Sequence, residues 1–79
     1  MNEKSQIIKE FWEEYRKAQE LRRNMADWDY IESRPEPIKT ALKILVETGD
    51  LWYSATMTGV PLDVLNKERL KAKIPLVVL

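Results

Sequence analysis

The sequence contains no cysteine and no histidine among its 79 residues. Without cysteine the chain has no disulfide, no thiolate metal site and no cysteine nucleophile, and without histidine it lacks imidazole acid–base chemistry and histidine metal ligands. No glycine-rich phosphate loop occurs, and no serine has a lysine at an activating spacing. These absences predict a protein that is not an enzyme and binds neither a metal nor a cofactor.

Glycine occurs only twice, and no apolar run approaches the roughly 18 residues that a membrane span needs. The scarcity of glycine argues against a turn-rich β fold, and the three Trp, three Tyr and one Phe argue against disorder. The polar N-terminus is unlike a signal peptide. We therefore expect a single all-α cytoplasmic domain over residues 1–79, with no membrane partner. The many opposite charges and few amide side chains fit a thermophile.

The first 32 residues predict one long amphipathic helix. Apolar side chains recur three or four positions apart from Ser5 to about Trp28, with a gap at Arg22. A helix of about 24 residues is roughly 36 Å long, which is more than the remaining residues can cover. It is either an ordinary helix with a solvated end or a helix that pairs with a partner. We favour a homodimer or partner interface through Ile8, Phe11, Trp12, Tyr15 and Leu21.

Residues 37–73 predict three shorter helices, at 37–48, 51–58 and 62–71. Proline suits the first helical position and glycine the position after the last, and Gly49 and Gly59 follow the first two helices. Residues 74–79 predict an extended, apolar tail. We expect this tail to contribute Leu76, Val77 and Val78 to a dimer or partner interface; folding back onto the chain's own core is the alternative.

Four residues in the second half have the spacing of a helix-turn-helix core. Ala55 is small where two helices approach closely, and Gly59 suits a turn that needs a positive φ. Val60 and Leu65 are then placed to fill the angle between the two helices. A simple helical hairpin with a glycine cap is the alternative, and we favour the helix-turn-helix.

The chain from residue 38 to 76 resembles the small prokaryotic, archaeal-type helix-turn-helix antitoxins that pair with PIN-domain ribonuclease toxins. The resemblance is carried by ALKILVETGDL at 41–51, SATMTGVPLDVL at 54–65 and KIPLV at 73–77. It implies an antitoxin-like transcriptional regulator that binds double-stranded DNA through its second motif helix. It also implies that another segment neutralises a toxin protein.

The resemblance places the helix at 62–71 in a DNA groove. There Asn66 can pair with adenine and Lys67 can reach guanine, while neighbouring cations contact phosphates. The predicted DNA-binding residues are Asp63, Asn66, Lys67, Arg69, Lys71, Lys73 and Lys43.

The charge balance leaves a different class of function open. The 13 basic and 13 acidic side chains give zero net charge, which is low for a strong DNA binder. The lysines could then form only a solvated surface. In that case the chain is a non-enzymatic interaction or assembly module, and its helix pair is only scaffold.

Overall fold

The structure, a computed structural model, describes residues 3–76, with side chains from Ser5 onward. Within this range it is all-helical, as the sequence predicts, and its first helix is long. The five helices are α1 (Glu3–Met25), α2 (Trp28–Ser33), α3 (Ile38–Thr48), α4 (Leu51–Thr58) and α5 (Leu62–Lys71). No helix in the described part of the chain is long and apolar enough to cross a membrane.

The prediction of a single helix over residues 1–32 is wrong at its C-terminal end, because the helix is interrupted at residues 26 and 27, between α1 and α2. Asp27 has extended backbone, and its carboxylate accepts a hydrogen bond from the Tyr30 backbone N–H at 3.1 Å. This is an N-cap, which satisfies one of the free N–H groups at the start of α2. The Asp27 N–H also donates to the Ala72 carbonyl at 2.8 Å, which ties the break to the end of α5. The apolar spacing continues through the break, so periodicity alone concealed it.

The predicted helices at 37–48, 51–58 and 62–71 match α3, α4 and α5 to within one residue. Gly49 and Gly59 end α3 and α4 in the left-handed conformation, with φ of 67° and 76°. Asp50 caps α4 by accepting a hydrogen bond from the Tyr53 backbone N–H at 2.9 Å. Local backbone chemistry therefore sets these boundaries.

Helix α3 is the centre of the fold and packs against all four other helices. Its buried face carries Ala41, Leu42, Leu45 and Val46, which have no exposed surface. Burying a leucine side chain fully contributes about 1.5–3 kcal/mol, so this face is the main apolar contribution to stability. The core is completed by Ala26, Ile31, Ala55, Val60, Leu65, Ala72 and Ile74.

The second half of α1 packs against α3, and the first half does not. Ala18 and Arg22 are buried on the side of α1 that faces α3, whereas every side chain from Ser5 to Glu14 is exposed. The first half of α1 therefore projects from the body, and the described chain measures 48 × 24 × 15 Å.

The two glycines allow a matched test of how α1 is held. A Cβ on Gly49 would lie 2.5 Å from Arg22 Nη1, whereas a Cβ on Gly59 would meet nothing within 4 Å. We expect Gly59→Ala to cost about 1 kcal/mol for the left-handed backbone alone. We expect Gly49→Ala to cost at least twice as much in urea unfolding, because Arg22 must also leave its partners on α3. In an Arg22→Ala background the two costs should become equal, and a persisting difference would contradict this explanation.

Candidate nucleic-acid interface

The turn between α4 and α5 brings together the four residues singled out by their spacing. Ala55, Val60 and Leu65 are buried in the same core cluster, and Gly59 forms the turn. Val60 follows the turn and is buried, and Leu65 lies on the buried side of α5. The outer face of α5 is therefore left to solvent.

A buried carboxylate also fixes α5 in place, and the sequence analysis missed it. Glu68 is 7% exposed and accepts hydrogen bonds from the Tyr30 hydroxyl and from Arg34 Nη2, the latter at 3.0 Å. The Arg34 guanidinium lies 5.3 Å from the centre of the Tyr30 ring. The hydrogen bond to Glu68, with burial adding to it, raises the pKa of Tyr30. The sequence contains one signal that Glu68 is buried: at helical spacing it lies on the same face as Leu65 and Ala72.

The outer face of α5 carries three of the predicted DNA contacts in one row. Asp63, Lys67 and Lys71 are all exposed and follow one another at four-residue spacing. Leu70 is 61% exposed beside this row, although the sequence analysis did not select it. This row, with Leu70, is named the α5 outer face below.

Asn66 and Arg69 are engaged with the chain itself. Arg69 donates from Nε to Asn66 Oδ1 at 3.0 Å and from Nη1 to the Ile74 carbonyl at 3.1 Å. Arg69 therefore holds the segment after α5 against the helix. Pairing with adenine through both amide atoms would make Asn66 Oδ1 accept a second hydrogen bond beside the one from Arg69.

The other two predicted cations lie away from the α5 outer face. Lys43 is on α3, and its ammonium lies 2.9 Å from the Glu32 carboxylate. The hydrogen bond from Lys43 lowers the pKa of Glu32. Lys73 follows α5 in the left-handed conformation, with φ of 57°, at a position where glycine is usual.

The predicted tail interface lies only partly within the described residues. Ile74 is buried in the core, and its N–H donates to the Arg69 carbonyl at 3.1 Å. Leu76 remains 39% exposed. Val77 and Val78 lie outside the described residues.

The predicted interface on α1 divides into a cluster and a separate residue. Phe11, Trp12 and Tyr15 form an aromatic cluster with ring centres 5.5–6.5 Å apart, and Ile8 is exposed one turn before them. Leu21 is exposed too, but it lies about 120° around the helix axis from Tyr15. The structure therefore separates Leu21 from the other four.

Comparison of the chain with protein-family models, curated proteins and solved structures finds no match. Among the described side chains no group of acidic residues could hold a metal ion.

Lys73 offers a test of whether a cation there is kept at the expense of stability. Lys73→Gly should raise the free energy of unfolding by about 1 kcal/mol, because glycine adopts the left-handed conformation without a steric penalty. The control is Lys67→Gly, which removes the same charge from the middle of α5 and should lower stability by about 1 kcal/mol. Chemical denaturation of both variants measures this. Equal losses of stability in the two variants would show that the backbone at Lys73 is not strained.

Proposed function

We propose that this chain is an antitoxin-like, non-enzymatic transcriptional regulator that binds double-stranded DNA through α5. The observation that carries the proposal is the placement of α5. Leu65 and Glu68 hold its inner side in the body, while Lys67 and Lys71 project from its outer side. A helix-turn-helix recognition element is held in the same way, with one side packed in the body and the other free to enter a groove.

The dimensions of α5 suit the major groove. Ten residues give a helix about 15 Å long, and a helix with its side chains is about as wide as the groove. Lys67 lies near the middle, where it can reach guanine, and Lys71 lies at the end, where it can contact a phosphate. Leu70 can contact a thymine methyl group.

Charge on the α5 outer face sets a limit on affinity. Asp63 opposes the approach of phosphate, so Lys67 and Lys71 leave a net charge of only one on the row. We therefore expect weak binding by a single copy and strong dependence on salt. Lys73 adds a third cation, beyond the end of the helix.

The toxin-neutralising activity belongs to a second segment in this proposal. Arg69 fixes the chain as far as Ile74, and the apolar Leu76 follows on the surface. An apolar segment in extended conformation can add a strand to the sheet of a partner protein. The tail that begins at Leu76 is therefore the proposed toxin contact.

A second candidate function is an assembly module that binds no DNA. The exposed apolar side chains on the first half of α1 favour it, because large exposed apolar patches mark interaction sites. Gel retardation with the DNA upstream of the protein's own coding sequence, at low salt, separates the two functions. Failure of the wild-type chain to retard this DNA favours the assembly module.

Two lysines on α5 should affect DNA binding differently. Lys67→Ala should change the preferred sequence at one position and cost about 1–3 kcal/mol of discrimination. Lys71→Ala should weaken binding to all sequences and reduce the salt slope by about 1. The control is Lys9→Ala, which removes an exposed lysine from α1 and should leave binding unchanged. Fluorescence anisotropy over a salt series measures all three, and equal effects of the three variants would overturn the proposal.

A further inference from the structure

One apolar face runs along the whole of α1, and the body covers only its second half. Ala18 and Arg22 lie on this face where α3 covers it, and Tyr15, Phe11 and Ile8 continue it toward the N-terminus. Ile7, Ile8, Phe11 and Trp12 are each at least half exposed. The face that α3 covers at one end is therefore bare at the other.

The opposite side of α1 argues against a membrane surface as the occupant. It carries Glu10, Glu13 and Glu20 together with Lys9 and Lys17. Helices that lie on membranes have polar sides rich in lysine and arginine, because the lipid surface is anionic. A mixed polar side suits another protein helix better.

We propose that a second copy of this chain covers the bare face, with the first halves of the two α1 helices packed antiparallel. A parallel pair would place both bodies on the same side at the same level, where they would collide. In an antiparallel pair the two bodies lie at opposite ends of the helix pair. The second helix thus continues the cover that α3 provides.

The side chains allow a two-fold axis near Phe11 and Trp12. Ile8 then lies opposite Tyr15 of the second copy, and the aromatic clusters meet at the centre.

The area available suits a weak but specific dimer. The exposed side chains offer on the order of 500 Å² of apolar surface per copy, so the pair buries about 1,000 Å², the lower limit for specific interfaces. We expect a dissociation constant in the micromolar range. Binding to DNA would then bring the two copies together.

The pairing also sets the spacing of the two bodies on DNA, and this step rests on the proposed DNA function. Arg22, where α1 joins the body, is about 11 residues or 16 Å from the two-fold axis. The two attachment points are then about 32 Å apart along the pair, close to the 34–36 Å between half-sites one turn apart on DNA. The two bodies that carry α5 would then have the spacing of two half-sites on neighbouring turns.

The absence of cysteine makes the pairing testable by disulfide formation, without DNA. Copies with Ile8→Cys mixed with copies with Tyr15→Cys should form a disulfide dimer on mild oxidation, because their Cα atoms come within the required ~7 Å. Each variant alone should form little, because the two cysteines are then about 10 Å apart along the axis. Efficient disulfides within each variant alone would show parallel pairing and overturn the proposal.

Sedimentation equilibrium provides the second measurement. Phe11→Lys should raise the dimer dissociation constant at least tenfold, since each dimer would bury two unpaired charges. Met57→Lys is the control, because it places the same charge on an exposed apolar site of α4. Circular dichroism confirms that both variants fold.

Two results separate this inference from the DNA function. A wild-type chain that stays monomeric at the highest attainable concentration overturns the pairing and assigns the face to a different protein. A chain that forms the mixed disulfide but binds no DNA retains the pairing and loses the DNA function.

Discussion

The buried guanidinium of Arg22 is the contact on which the rest of the structure depends. It donates from Nε to the Val46 carbonyl at 2.7 Å and from Nη2 to the Glu47 carbonyl at 3.3 Å. Both carbonyls belong to the last turn of α3, where no helical N–H is available to them. Burial lowers the pKa of Arg22, and a cation at the C-terminal end of a helix dipole offsets part of that cost. Gly49 leaves the space that the guanidinium occupies.

Gln19 and Arg23, which lie near Arg22 on α1, make further contacts with the end of α3. Gln19 donates to the Glu47 carbonyl at 2.9 Å, and Arg23 donates to the Glu47 carboxylate at 2.6 and 3.0 Å. The hydrogen bond from Arg23 lowers the pKa of Glu47. Together these contacts fix the direction of α1 relative to α3. The first half of α1 projects and its apolar face stays bare because α3 ends at the level of these contacts and does not extend along the rest of α1.

The sequence predicts those parts of the fold that depend on local backbone chemistry. Gly49 and Gly59 mark the ends of α3 and α4, and Asp50 marks the start of α4. The bounds of α3, α4 and α5 were predicted to within one residue. The break at Asp27 was missed, because the apolar spacing runs through it and a distant contact with Ala72 stabilises it. Arg22 was seen only as a gap in the stripe, since its partners lie 24 residues away.

The candidate site also has some parts that local sequence patterns predict and others that depend on distant contacts. Periodicity places Asp63, Lys67 and Lys71 on the outer side of α5, because Leu65 must face the core. The engagement of Arg69 with Asn66 and Ile74, and of Glu68 with α2, depends on tertiary contacts that no local pattern reveals.

In the proposed dimer, Arg22 anchors α1 to the body, the free half of α1 pairs two bodies, and each body presents its α5 to the DNA. Hydroxyl-radical footprinting on the DNA upstream of the coding sequence tests this claim most directly. The account predicts two protected segments on one face of the duplex, with centres about 10 base pairs apart. A single protected segment, occupied by one copy of the chain, would contradict it.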